Sequence, residues 1–348
     1  MTAARLVARV VRGIERVLAD EVQVGKLGRV TAVEHREVWF EADRPGPAVL
    51  DLRCADDVFL VGTTAAGIGR ARADLQMLGK AAAAMPVRHL LDQRRLCGGA
   101  PAAARSVDVS ASFLGRRNFT RYDIEDAVGE PVAAALGLPY HSRRTGAAPP
   151  PGGLSWRVTL VDDRALVALR IADRPLHRRA YRQWSRPGSL HPPVAAAMLR
   201  LAGRRPGEIL LDPCCGVGTI VLEASGPALG GDIDPSAVDA ARRNAAGRPE
   251  TPGIAWVVGD AGRLPLPDGA VDLVVTNPPW DRQVPFGGSL ARRPQLFWTQ
   301  VRRVLRPGGR AVVLTTDAGA ALASGLSHVD SVPISLAGQH PRIVVLRN

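Results

Sequence analysis

The stretch Leu210-Leu-Asp-Pro-Cys-Cys-Gly-Val-Gly-Thr219 constrains the fold more than any other part of the chain. An apolar run ends in an acidic residue, a turn with two glycines follows, and a helix-like segment opens at Thr219. That order is the first strand, loop and helix of a doubly wound α/β nucleotide site, where glycines let the backbone pass close to a ligand. Asp232 lies about 20 residues further on, at the end of the next apolar run, where an acid that binds a ribose is expected. A glycine-rich loop alone is weak evidence. Its weight comes from a companion downstream, Thr276-Asn277-Pro278-Pro279-Trp280, at the end of the fourth expected strand.

Around these motifs the pattern predicts a complete sheet domain. A helix over 193–202 precedes strands over 208–212, 228–232, 254–259 and 271–276. Asp234 caps a helix with Pro235 at its first position. A helix over 295–305 leads into Arg306-Pro-Gly-Gly-Arg310, read as a turn before a strand over 311–315. Apolar runs at 329–334 and 343–346 finish seven strands, the last two as a hairpin, and Pro333 places its strand at a sheet edge.

The front half reads as α+β. A strand over 5–11, a helix over 13–22, a hairpin from 30–33 and 37–40, a short helix over 48–53 and a strand over 58–61 give a βαββαβ order, the ferredoxin-like arrangement. One helical stretch over 70–91 follows, then a helix over 123–136 and strands over 156–161 and 165–171.

The 348 residues suit two or three domains, and 46% hydrophobic content supports a sizeable core. The formal charge of +12 is carried almost wholly by arginine, whose planar fork suits phosphate, and favours a polyanionic partner. Cys54, Cys97, Cys214 and Cys215 have no zinc spacing, so no metal is expected and a reducing compartment is natural. Arginines interrupt the first apolar run, and no run approaches a membrane span. A cytoplasmic monomer is the expectation.

Arg174-Pro-Leu-His-Arg-Arg-Ala-Tyr-Arg182, followed by Gly188-Ser-Leu-His-Pro192, resembles the segment that links a THUMP domain to a methyltransferase domain. Val11-Arg-Gly-Ile-Glu15 resembles the opening of the same proteins. They are the THUMP-containing guanosine-N2 methyltransferases acting on tRNA, with related 23S rRNA enzymes. The resemblance implies a ferredoxin-like domain over 1–63, a THUMP-like RNA-binding domain over 64–172, a basic linker over 173–190 and a Rossmann-like methyltransferase domain over 191–348.

The cofactor that the resemblance implies is S-adenosylmethionine; the first loop lacks the G-x-G-x-x-G spacing of a dinucleotide site. By carry-over, Asp212, Cys214, Gly216, Gly218 and Thr219 surround its methionine and ribose. Asp232 accepts from the ribose hydroxyls with Ile233 beside it, Asp260 with Ala261 receives the adenine amine, and Asn277 closes the pocket. In Asn277-Pro278-Pro279-Trp280 the prolines remove N–H groups and free carbonyl oxygens to face the pocket. The Asn277 oxygen and a proline carbonyl can then accept both hydrogens of an exocyclic amine. Trp280, where the family more often carries tyrosine or phenylalanine, can stack on a base for about 1–3 kcal/mol. The tetrapeptide has no cysteine, so covalent attack on cytosine is not supported, and Cys214 and Cys215 read as packing residues. Guanine N2 is favoured by the resemblance; adenine N6 and a glutamine amide remain open from the tetrapeptide itself. Arg116, Arg117, Arg121, Arg178, Arg179 and Arg182 are the RNA-contact candidates, with Arg143 and Arg144 beside loops. The alternatives are the same chemistry on 23S rRNA or another tRNA position, and an RNA-binding protein whose methyltransferase half is silent.

Overall fold

The computed structural model describes residues 3–100, 104–248, 253–279, 286–317, 319–323 and 325–348. Two compact units divide the chain: residues 1–9 with 19–176, and residues 10–18 with 177–348.

Among the described residues the first unit carries β1 (Ala4–Arg9), α1 (Glu15–Val24, from Ala19 on), β2 (Arg29–Glu34), β3 (Glu37–Ala42), β4 (Asp57–Ala65), α2 (Leu75–Ala83), α3 (Val87–Leu96), β5 (Val107–Phe113), α4 (Arg121–Leu136), β6 (Tyr140–His141), β7 (Leu154–Val161) and β8 (Arg164–Arg170). Its strands form one sheet in the order β2-β3-β1-β4-β8-β7-β5-β6. The first four follow the ferredoxin-like order, and antiparallel pairing of β4 with β8, Phe59 opposite Arg170, continues the sheet into residues 64–172.

Two helices, α2 and α3, stand where the apolar spacing predicts a single helix over 70–91. The break falls at Pro86, which has no N–H to continue a helix and restricts the residue before it. α4 begins two residues before its expected start because Thr120 caps it: Asp123 N–H donates to the Thr120 hydroxyl, and Thr120 N–H returns to the Asp123 carboxylate at 2.7 Å.

The second unit carries α5 (Pro192–Leu201), β9 (Leu210–Asp212), α6 (Thr219–Glu223), β10 (Ala228–Asp232), α7 (Pro235–Ala246), β11 (Ile254–Val258), β12 (Val271–Thr276), α8 (Leu296–Val304), β13 (Leu305–Thr315), α9 (Gly319–Ala323), β14 (Ser327–Pro333) and β15 (Arg342–Arg347). The strand order is β11-β10-β9-β12-β13-β15-β14. The first five are parallel neighbours, and β15 runs antiparallel between β13 and β14. Pro333 sits on the edge strand, as its missing N–H requires. β13 starts earlier than the turn reading allows. Leu305 already pairs with Val271, and Arg306-Pro-Gly-Gly is absorbed as a bulge before Arg310 pairs with Leu273.

One side of this sheet buries Leu211, Val274, Val313 and Val344 against Phe297, Trp298 and Val301 of α8. The segment 10–18 groups with this unit: Ser335 N–H donates to the Arg12 carbonyl at 3.0 Å. Gly13, at φ +104°, approaches the Pro333 carbonyl so closely that a Cβ would lie 2.0 Å from it. That close approach explains the glycine in Val11-Arg-Gly-Ile-Glu15.

Within α4, a Cβ on Gly129 would lie 2.1 Å from the Tyr140 ring, which Asp126 holds by a 2.9 Å hydrogen bond. Helix propensity alone would reward Gly129→Ala by ~1 kcal/mol. Overpacking against a tethered ring costs ~1–3 kcal/mol. The clash therefore wins, and thermal denaturation should show Gly129→Ala melting below the parent.

Candidate active site

Strand order reverses between β9 and β12, and the crevice outside their carboxyl ends is where an open α/β sheet binds its ligand. The motif residues converge there. β9 ends at Asp212, the loop 213–218 turns over the sheet, and α6 starts at Thr219, itself buried. Gly216 and Gly218 hold φ of +53° and +85°, a region that strongly favours glycine. A Cβ on Gly216 would meet nothing within 4 Å, so the space above this backbone is open. Gly218 is glycine for a second reason. Its Cβ would lie 2.7 Å from the Trp256 ring, and that of Gly230 on β10 would lie 2.5 Å from the same ring.

Asp232 ends β10 and braces the loop. Its carboxylate accepts Gly216 N–H at 2.8 Å and Asp234 N–H at 3.0 Å. Each oxygen keeps acceptor capacity, so a ribose diol can still be received. Asp234 caps α7 by accepting Ser236 N–H at 2.8 Å, as the sequence leads one to expect. Ile233, 44% exposed, offers an apolar surface beside these acids.

Asp260 follows β11 with buried Ala261 next to it. Its oxygens accept Gly262 N–H at 2.8 Å and Ser289 N–H at 2.7 Å. Burial pushes this carboxyl up, but the two backbone donors outweigh it, and the group is held below the ordinary carboxylate value. The Ser289 contact ties Asp260 to the chain that returns after the Asn-Pro-Pro motif, a link the sequence does not announce.

Asp212 is the deepest acid, 1% exposed, and accepts Cys214 N–H at 3.2 Å. Burial pushes its carboxyl up to about 7, with the Asp232 charge adding to the rise and hydrogen bonds opposing it. Cys214 and Cys215 are free thiols whose titration burial drives well upward, which suits packing and not nucleophilic attack.

Asn277 stands at the carboxyl end of β12, followed by buried Pro278 and half-buried Pro279. Its side-chain oxygen is buried and has no hydrogen-bond partner among the described residues. A buried unpartnered acceptor costs about 1–3 kcal/mol. Asn277 thus presents an acceptor at the carboxyl edge of the sheet. Trp280 lies outside the described residues.

S-adenosylmethionine fits this edge. The Asp232 and Asp260 carboxylates suit a ligand that carries a sulfonium and an ammonium, both retain capacity for hydroxyl and amine donors, and the backbone at Gly216 leaves room for close approach.

The arginine candidates separate by their contacts. In the first unit, Arg116 and Arg121 are exposed, Arg121 lying over the Tyr122 ring at 4.7 Å. Arg117 instead donates to the carbonyls of Ile68 at 3.0 Å, Gly69 at 2.7 Å and Asp162, and gathers three loops. In the second unit, Arg178 is exposed. Arg179 is paired with Glu223 at 2.9 Å with both side chains buried, and Arg182 donates to the Leu190 carbonyl at 3.2 Å. Arg117, Arg179 and Arg182 thus donate to groups inside the protein, whereas Arg116, Arg121 and Arg178 are exposed. Arg143 pairs with Asp108, and Arg144 with Asp123 and Asp126.

A sheet of this order, with β15 antiparallel, and this carboxyl edge suit a methyltransferase that uses S-adenosylmethionine, and the comparisons below place the chain in that class. Residues 179–226 match the RMKL-like methyltransferase domain family, and residues 211–313 match a methyltransferase domain family. The tRNA (guanine(6)-N2)-methyltransferase of Thermus thermophilus is 31% identical over 355 residues, covering 96% of each chain. The crystal structure of TrmN from Thermus thermophilus superposes with a TM-score of 0.78 at 29% identity, covering 99% of both chains. The bovine tRNA (guanine(6)-N(2))-methyltransferase THUMP3 is 32% identical over 212 residues, 53% of this chain and 41% of that protein. The chain belongs to the tRNA guanine-N2 methyltransferase family.

Because the folded protein keeps a proton on Asp212 up to about pH 7, while an unfolded chain releases it near about pH 4, this group's share of stability falls as pH rises between those values. Asp212→Asn should flatten that fall in denaturant titrations run across the same range.

Proposed function

We propose that the protein methylates the exocyclic N2 amine of a guanosine in tRNA, in the acceptor region, as the position named for its relatives suggests. The observation that carries this reading is the buried, unpartnered oxygen of Asn277 at the crevice mouth. S-adenosylmethionine, when bound, supplies an electrophilic methyl group. Asp232 receives the ribose hydroxyls, Asp260 the adenine amine, and Ile233 with Ala261 the adenine faces. Gly216, Gly218, Cys214, Thr219 and Asp212 enclose the remainder.

The protein's task toward the base is alignment. The Asn277 oxygen and the Pro278 carbonyl accept the two amine hydrogens. This pulls the nitrogen lone pair out of conjugation with the ring and fixes its direction, so proximity supplies most of the rate. The stacking role expected of Trp280 falls outside the described residues; the base must leave its helix if paired. The segments 1–63 and 64–172 form an RNA-reading half, 173–190 joins it to the catalytic residues 191–348, and the protein works as a cytoplasmic monomer. No described helix is long and apolar enough to cross a membrane.

The test is transfer of labelled methyl to undermodified tRNA, and separately to rRNA, with nucleoside mass spectrometry. N2-methylguanosine in tRNA is expected. Asn277→Ala should lower kcat by ~100-fold or more while the protein still binds S-adenosylmethionine. Label in rRNA alone would move the substrate, and cofactor binding with no label in any RNA would point to a silent RNA-binding protein.

Exposure also sorts the arginines. Arg116→Ala, Arg121→Ala and Arg178→Ala should each weaken tRNA binding and reduce the slope of log affinity against log salt by ~1 per lost phosphate contact. Arg117→Ala should lower the melting temperature instead.

A further inference from the structure

Asn244 lies near the end of α7. It is 1% exposed and uses its whole hydrogen-bonding capacity. Its oxygen accepts the N–H groups of Gln183 at 3.1 Å and Trp184 at 2.9 Å. Its amide nitrogen donates to the carbonyls of Trp184 at 3.0 Å and Val217 at 3.1 Å. The orientation is forced, since a flipped amide would set donors against donors and an oxygen against two carbonyls.

Val217 is the residue between Gly216 and Gly218, so this carboxamide reaches the loop that passes over the cofactor crevice. Other contacts hold the same incoming chain without touching that loop. Arg179 and Tyr181 both donate to Glu223 on α6, Tyr181 at 2.6 Å. Arg186 reaches Asp234 at 2.6 Å and Ser236 at 2.8 Å, and Arg243 lies over the Trp184 ring at 4.9 Å. Within this set the contact of Asn244 with Val217 joins the incoming chain to the loop.

We propose that Asn244 is a positioning residue of the methyl-transfer site: it fastens Gln183 and Trp184 to the Val217 carbonyl and thereby sets the shape of the cofactor loop. Without its amide, the buried Val217 carbonyl loses an internal partner, and the left-handed turn through Gly216 and Gly218 is free to rotate toward another. Aspartate cannot replace it, because a carboxylate accepts from the two N–H groups but offers nothing to the two carbonyls. The inference rests on the methyltransferase reading above and deepens it.

The test uses the full chain and binding of S-adenosylmethionine by calorimetry, with transfer kinetics beside it, at a temperature where circular dichroism shows each variant folded. Asn244→Ala and Asn244→Asp should raise the cofactor dissociation constant and its KM by ~10-fold, with kcat at saturating cofactor changed far less. Glu223→Gln, which weakens the grip on the same incoming chain without touching the loop, should lower the melting temperature and leave cofactor affinity near the parent value. Asn244 variants that bind cofactor like the parent would overturn the proposal, as would an equal loss of affinity in Glu223→Gln. A parent protein that binds S-adenosylmethionine but modifies no RNA would defeat the proposed function and leave this inference standing.

Discussion

Everything at the crevice depends on the ring of Trp256. It projects from β11 against two backbones at once, and both must be bare: Gly230 on β10 and Gly218 at the end of the cofactor loop. A side chain at either position would drive the loop and the sheet apart. With the glycines in place, the loop settles low over the carboxyl ends of the strands, and Gly216 N–H comes within 2.8 Å of Asp232. The same packing that closes the sheet therefore holds Asp232 against the loop.

The second constraint is electrostatic. Asp212, Asp232 and Asp260 share one edge, where gathering acids is costly: the Asp232 charge raises Asp212 further than burial alone does. Backbone N–H groups relieve part of that cost at Asp232 and Asp260. At Asp212 a single backbone donor does not offset burial, and the carboxyl rises to about 7. An arrangement that is unfavourable by itself suits a cationic ligand, and local rules are broken in this way mainly at functional sites. The unpartnered Asn277 oxygen belongs to the same pattern.

Much of this half was legible in the sequence because local signals agreed with the global fold. β10, α7 and β12 fall where apolar runs, an Asp-Pro helix start and the Asn-Pro-Pro stop place them, and Pro333 marks the edge strand. The misses share a cause. The break at Pro86 was written in the chain but overridden by apolar spacing on both sides of it. Pairing of Phe59 with Arg170 joins distant residues into one sheet, and periodicity carries no such information. For Arg179 the sequence shows the charge but not the buried Glu223 that pairs with it. The role of Asn244 is not legible in the sequence because its four partners lie on segments far from it in the chain. The acids Asp232 and Asp260 were readable as a pair at one edge, whereas the Ser289 contact to Asp260 required the fold.

The most direct test of the account is a crystal structure of the protein grown with S-adenosylhomocysteine. The account predicts density along the carboxyl ends of β9, β10, β11 and β12, with the ribose at Asp232, the adenine between Ile233 and Asp260, and the amino-acid end over Gly216. Density at any other place, or a crevice that stays empty at saturating ligand, would contradict it.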